Sequence, residues 1–455
     1  MDFGFEGFDS AGFDVDVEEV TMKKTKKFDR VFRVSFGGSI DQRPLLFGDK
    51  IIFGSMDNFL YAVECKSGRE IWRTKANGIF MESSPVTDGE IVFIGNYDQC
   101  LYAVDPDNGA VLWKFRSGAE ILGTPLATKN SVYVGSKDGN LYCINKASGR
   151  EEWRFKTGDW IAATPLIHDD KIYIGSFDSN FYCIDSGTGK ELWRFRTGAE
   201  IYDVYPGEVI DGKIFVPSLD NNLYCLNAET GKEIWRFAAG KYGVASAPVV
   251  HNGILYLETR DGIFYSISMN GKELWRFKSG GVVALPVFSK NMIYVGSEDS
   301  NLYCLNMNGK EQWRFKTDGA VFWCPVIKDG IIYFTSWDCH LYAVDIETSK
   351  ELWRFATSTK TQAEWPPAYE SWEAEIKKAA HIEDAISEDR YKTKHEKSVS
   401  LSDYHVKSDY ASTSEYKQKS DYDTQWIMFE ETFAGEPEIF CGILGESEIL
   451  KMQKA

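Results

Sequence analysis

Residues 141–153 read LYCINKASGREEW, and the same frame stands at 101–113 as LYAVDPDNGAVLW and at 181–193 as FYCIDSGTGKELW. Each stretch opens on an aromatic and β-branched run, crosses a turn of Gly, Ser, Asn and Asp, and ends on Trp. That is the pattern of two short antiparallel strands. The closing Trp recurs at Trp72, Trp113, Trp153, Trp193, Trp235, Trp275, Trp313 and Trp353, at spacings of 38 to 42. Aligned on it, Pro falls at 44, 85, 125, 165, 206, 248, 286 and 325, and Asp at 57, 98, 138, 178, 220, 261, 299 and 338. Tyr falls at 61, 102, 142, 182, 224, 265, 303 and 342. All four positions are filled in all eight units. A period near forty marks a repeat array, and helical periodicity is missing from about residue 40 to 357.

Within the fourth unit the pattern predicts strands over Thr164–His168, Lys171–Ser176, Asn180–Asp185 and Glu191–Arg196. Eight such units arrange radially, so the expected fold class is all-β: an eight-bladed β-propeller of four-stranded antiparallel blades with non-propeller extensions at both ends. Pro lacks an amide donor and suits the open edge of an innermost strand. The Asp belongs in the turn between second and third strands, bonding nearby amides. Asn270-Gly271 and Asn308-Gly309 supply tight hairpin turns, and in those two units the Tyr-to-Trp distance shortens from eleven to ten. Phe follows each Trp by two residues except at Thr74, which puts both rings on one blade face. Burying roughly 200 Å² of indole is worth at most about 5 kcal/mol, so the eight Trp are read as structural. The basic residue after each Trp points to the other face, where charge discourages edge-to-edge pairing.

These repeats resemble the tryptophan-docking motif of quinoprotein-type (PQQ-like) propellers over about residues 28–357. The family includes PQQ-dependent alcohol dehydrogenases and the non-enzymatic propeller lipoprotein of the outer-membrane barrel-assembly machinery. The resemblance implies the architecture and a binding-platform role. Its dehydrogenases carry a vicinal disulfide and hold calcium through Glu, Asn and Asp supplied by insertions. This chain has no Cys-Cys pair and its repeats are almost free of insertions. The resemblance is therefore to the non-enzymatic branch, without that branch's export signal, and neither a cofactor nor a metal is expected.

The net charge of −17 repels phosphate backbones and argues against a nucleic-acid partner. The acidic start MDFGFEGFDSAGFDVDVEE is unlike a secretory signal, and no apolar run reaches eighteen residues, so no membrane association is expected. Nine cysteines include no CxxC; Cys143, Cys183, Cys225 and Cys304 share one repeat position with Ala62, Ala103, Ser266 and Ala343, which calls for a small buried side chain. An odd number of unpaired thiols fits a reducing compartment, and the cytoplasm is the expected location. The six His lack metal-ligand spacing.

Function is sought where the repeat varies. Residues before each Pro differ from unit to unit: Asp41-Gln42-Arg43, Glu82, Leu122, Ile161, Tyr202-Asp203, Ser246, Val283 and Phe322-Trp323. Trp160, Tyr202, Tyr205, Tyr242, Phe322, Trp323 and Trp337 form a candidate partner-binding rim, or else plug the channel mouth.

Four segments are expected. Residues 1–27 form an acidic Phe/Gly tail, with Phe3, Phe5, Phe8 and Phe13 as candidate docking residues. The propeller spans 28–357. Phe28–Ser35 resembles a ninth outer strand, which either stands outside the count or closes the ring by joining the last blade. Residues 358–424 read as a helix and a Ser-Asp-Tyr repeat linker. Residues 425–455 are apolar, with Trp426, Phe429, Phe433 and Phe440 as candidate docking residues and a hairpin expected around Gly435-Glu436-Pro437. This segment docks on its own propeller or on a partner. The function expected is a non-catalytic protein–protein interaction scaffold. The alternatives are a quinone- or small-ligand-dependent oxidoreductase using the channel, and an accessory structural subunit of a larger enzyme complex.

Overall fold

A computed structural model describes residues 38–202, 205 and 207–357, and the backbone of residues 426–433 and 436–443. The alternating segments of the repeat pair as strands because one face of each is buried against the next unit. The fourth blade runs Leu166–His168, Lys171–Gly175, Asn180–Asp185 and Glu191–Arg196, in that spatial order. Eight blades follow this plan around a propeller ring. In blade 5 the innermost strand is reduced to an Ile210↔Lys213 bridge. Pro206 stands seven residues before Lys213, against six from Pro165 to Lys171, and the extra residue interrupts the ladder.

The last blade builds its four strands, Val326–Lys328, Ile331–Thr335, His340–Asp345 and Glu351–Ala356, from its own sequence. Among the described residues the ring therefore closes by docking blade 8 against blade 1. Tyr333 and Trp353 both donate to the Cys65 carbonyl at 3.1 Å, and the Thr335 hydroxyl donates to the Gln42 carbonyl at 2.6 Å. Phe28–Ser35, the tail residues Phe3, Phe5, Phe8 and Phe13, and the expected helix and linker lie outside the described residues.

The apolar core is divided into eight clusters, one at each blade junction. At the junction of blades 3 and 4, Tyr133, Leu141 and Cys143 meet Ile172, Ile174 and Tyr182. The indoles seal these junctions at their outer ends. Trp113 Nε1 donates to the Lys146 carbonyl of the next blade at 2.9 Å, and Trp72, Trp153, Trp235, Trp275 and Trp353 make the corresponding bond. The rings lie on a glycine of the next blade's third turn: a Cβ on Gly149 would stand 2.7 Å from the Trp113 ring. Trp72 is fully buried, but the other repeat indoles are only partly so, and the burial term expected from sequence is correspondingly smaller.

Asp and Tyr act together. Asp178 accepts from the Tyr182 hydroxyl at 2.6 Å, from Asn180 N at 2.9 Å and from Gly158 N, in the segment that leads into the blade, at 2.7 Å. Arg154 lies over the Tyr142 ring, 5.0 Å from its centroid, and forms a two-pronged bond to Glu151. The basic residue thus covers the Asp–Tyr pair as well as charging the outer edge. In each outer strand one residue is extra: Cys183 pairs with Trp193 and Ile184 with Glu191, leaving Leu192 as an exposed bulge.

Separately, Trp426–Phe433 and Glu436–Ile443 form an antiparallel hairpin. Its register pairs Phe433 with Glu436 and Thr432 with Pro437, so Glu436 and Pro437 lie in the second strand, not in the turn. In a hairpin closed by two residues the flanking pair is hydrogen-bonded and the next pair, here Thr432 and Pro437, is not, so proline's missing donor costs nothing there.

Candidate functional site

One face of the ring is made by the segments connecting successive blades and by the turns between second and third strands. The two are knitted together by backbone bonds. Lys137 N donates to Glu120 O within blade 3, and Ile161 N from the segment entering blade 4 reaches back to Ser136 O at 3.1 Å. The same step joins Phe80 to Ser55, Ile121 to Asn96, Ile201 to Ser176, Val244 to Ser218, Val321 to Ser297 and Ile40 to Ser336. In five blades the close approach is made over a glycine at the end of the second strand: a Cβ on Gly135 would stand 2.2 Å from Ile161 Cγ2.

Pro217, Glu258 and Thr335 take that place in blades 5, 6 and 8, and of these blade 6 is the one that does not make the step to the next blade. Here the connecting segment takes another path: Val283 bridges Ser297 of its own blade and Ala284 N donates to Gly296 O at 2.9 Å. Glu258 is only 4% exposed, and one of its carboxylate oxygens meets no donor. Burial pushes its pKa up to about 7, opposed by a hydrogen bond from Ser246 and by Arg260, and reinforced by Glu298.

Three further carboxyls line the same mouth. Glu82, in the left-handed region at φ 66°, is 4% exposed; burial and Asp41 push it up to about 7, and Lys137 and the Tyr202 phenol pull it down. Neither Glu82 oxygen has a donor in full hydrogen-bond geometry, although Tyr202 is near enough to act on it. Glu298 is pushed up to about 7 by burial, against Val282 N and Arg260. Asp41 is raised by burial and steadied by two indoles, Trp323 Nε1 at 2.6 Å and Trp337 Nε1 at 2.9 Å. These acids come from blades 6, 7, 1 and 2. Across from them, Lys137 Nζ sits 4.1 Å from the centroid of the Trp160 ring, which packs on Phe177, and Phe177 packs on Tyr202.

The sequence-derived rim thus divides. Tyr202 and Trp323 are buried, at 5% and 8% exposure, and serve the mouth from inside. Trp160, Tyr205, Phe322 and Trp337 are half-buried, with Phe322 bridging Trp323 and Trp337. Tyr242 stands out at 68% exposure. Lys137, Glu258, Arg260 and Glu298 went unnoticed in the sequence; the signal available was the residue before each repeated Asp. That position holds Met56, Tyr97, Lys137, Phe177, Leu219, Arg260, Glu298 and Trp337, a different residue in every blade. Among the described residues no three of His, Cys, Asp or Glu converge closely enough to hold a metal ion.

A sequence profile of the PQQ-like family described as outer membrane protein assembly factor BamB matches residues 19–125, 97–206, 204–281 and 268–378. Among solved structures, the crystal structure of BamB from Moraxella catarrhalis aligns over 65% of this chain and 91% of its own, at 22% identity and a TM-score of 0.56. The computationally designed Ika8 protein aligns over 69% and 98%, at 15% identity and a TM-score of 0.60. At these identities the likeness is one of fold. No curated protein matches the chain significantly.

Proposed function

Because the chain belongs to the PQQ-like repeat family described as outer membrane protein assembly factor BamB, we propose that it is a non-catalytic scaffold holding partner proteins on its connecting-segment face. One observation carries this reading: eight equivalent positions on that face hold eight different residues, while the Trp and Tyr positions beneath are the same in every blade. A uniform frame that diversifies on one face has the anatomy of a recognition surface. Tyr242, exposed beside Lys241, supplies the kind of aromatic anchor that dominates binding energy. On this reading the segments bearing Phe3, Phe5, Phe8 and Phe13, and Trp426, Phe429, Phe433 and Phe440, add further contacts. We also propose a cytoplasmic setting, supported by the buried free thiols of the described cysteines.

The test is a photo-crosslinking residue placed in the full chain at position 242, or at exposed Glu90 on the opposite face. Discrete crosslinked protein bands from 242 and none from 90 support the scaffold. Equal crosslinking from both, or none from 242, removes the face-specific reading.

A further inference from the structure

We propose that the channel mouth binds an organic cation, a primary ammonium or guanidinium group, between the carboxyls of Glu82, Asp41 and Glu298 and the rings of Trp160 and Tyr202. This site goes beyond the scaffold reading and does not depend on it.

The charge at the mouth is unbalanced. Asp41, Glu82, Glu258 and Glu298 face Lys137, which acts on Glu82, and Arg260, which acts on both Glu258 and Glu298. An imbalance of this sort is not itself a site, but here it coincides with orphaned atoms. Both oxygens of Glu82 and one of Glu258 are shut away from water without a donor in hydrogen-bonding geometry. A buried carboxylate short of donors is held at a cost, and a cation seated against it removes that cost.

The aromatic side of the mouth receives cations. The Lys137 ammonium lies 4.1 Å from the Trp160 centroid, so this wall already holds positive charge within the field of Glu82. Phe177 links Trp160 to Tyr202, and Tyr202 adjoins Glu82, so aromatic faces and the unpartnered carboxyl belong to one continuous wall. A compact metal ion does not suit this wall, since no three ligating side chains converge among the described residues. A flat guanidinium or an ammonium on a carbon stem does. It donates hydrogen bonds to a carboxylate that lacks them and lays its carbon surface on the rings.

The same group can come from a free small amine or from a Lys or Arg side chain of a bound protein. The test separates these with the full chain at pH 7.5. Thermal unfolding and titration calorimetry are run with butylammonium and methylguanidinium as free cations, and with a Gly-Arg-Gly peptide. Butyramide is the neutral control, and NaCl at equal ionic strength is the salt control. Saturating cation is expected to raise Tm by roughly 3 °C above both controls, with one-to-one binding. Glu82→Gln, which keeps the side-chain size, is expected to weaken binding about tenfold. Glu90→Gln on the opposite face leaves it unchanged. Tighter binding of the free cations assigns a small amine, and tighter binding of the peptide assigns a partner's basic side chain. A wild-type shift no larger than that of NaCl or butyramide overturns the proposal whatever the variants do, and so does undiminished binding by Glu82→Gln.

Discussion

Replacing Glu258 by Gln isolates the cost of burying a carboxyl where five other blades place glycine. The folded pKa of about 7 lies above the ordinary 4.5 because burial outweighs the Ser246 hydrogen bond and Arg260, with Glu298 adding to the rise. The folded protein therefore holds a proton that the unfolded chain releases as pH rises from about 4.5 to 7. Stability contributed by the neutral acid is present at low pH, is lost through that window, and levels off above it. Gln does not titrate. The stability of the variant minus that of the wild type is thus expected to grow by about 2–3 kcal/mol between pH 5 and pH 8. Urea denaturation of both proteins at pH 5, 6, 7 and 8 measures this difference, and the titration of all other groups largely cancels. A difference that stays flat with pH, or that shrinks, would refute the burial argument.

Four other substitutions probe the blade junctions and one open turn. Gly149→Ala sets a Cβ 2.7 Å from the Trp113 ring at a φ of 66°, and a loss of about 3 kcal/mol is expected in chemical denaturation. Gly89→Ala, at φ 98° with nothing within 4 Å, carries only the backbone strain, about 1 kcal/mol. Trp113→Phe and Trp193→Phe remove similar ring area, but only Trp113 donates to a carbonyl while Trp193 Nε1 is buried without a partner. The Trp113 variant is therefore expected to be the less stable by about 1 kcal/mol, read from denaturation midpoints.

The blade repeat was legible because each unit repeats the same physical solution, and in blade 4 only strand ends moved: Lys171–Gly175 where Lys171–Ser176 was expected. What the repeated residues do was legible in part. Asp178 bonds turn amides as anticipated, but its bond to Tyr182 crosses two residues that the sequence presents as separate features. The glycine of the third turn was read as turn chemistry alone. Its φ of 66° at Gly149 agrees, yet the same residue is also the seat of the preceding indole, a contact between units that local pattern does not reveal. The channel mouth was the least legible. Glu82 and Glu258 are single departures from a repeat, far apart in the chain, and only ring closure between blades 8 and 1 puts them in one field. Three blades lack the glycine at the end of the second strand, and Glu258, the one charged residue among Pro217, Glu258 and Thr335, was the visible clue.

The central claim is that the connecting-segment face is where this propeller meets other molecules. Hydrogen–deuterium exchange of the full chain, free and bound to a protein captured through position 242, tests it most directly. Slowed exchange in the segment around residues 239–247 and in the turns before Asp261 and Asp299 is the result expected, with the turns at 88–90 and 169–170 unchanged. Protection confined to those opposite turns would contradict it.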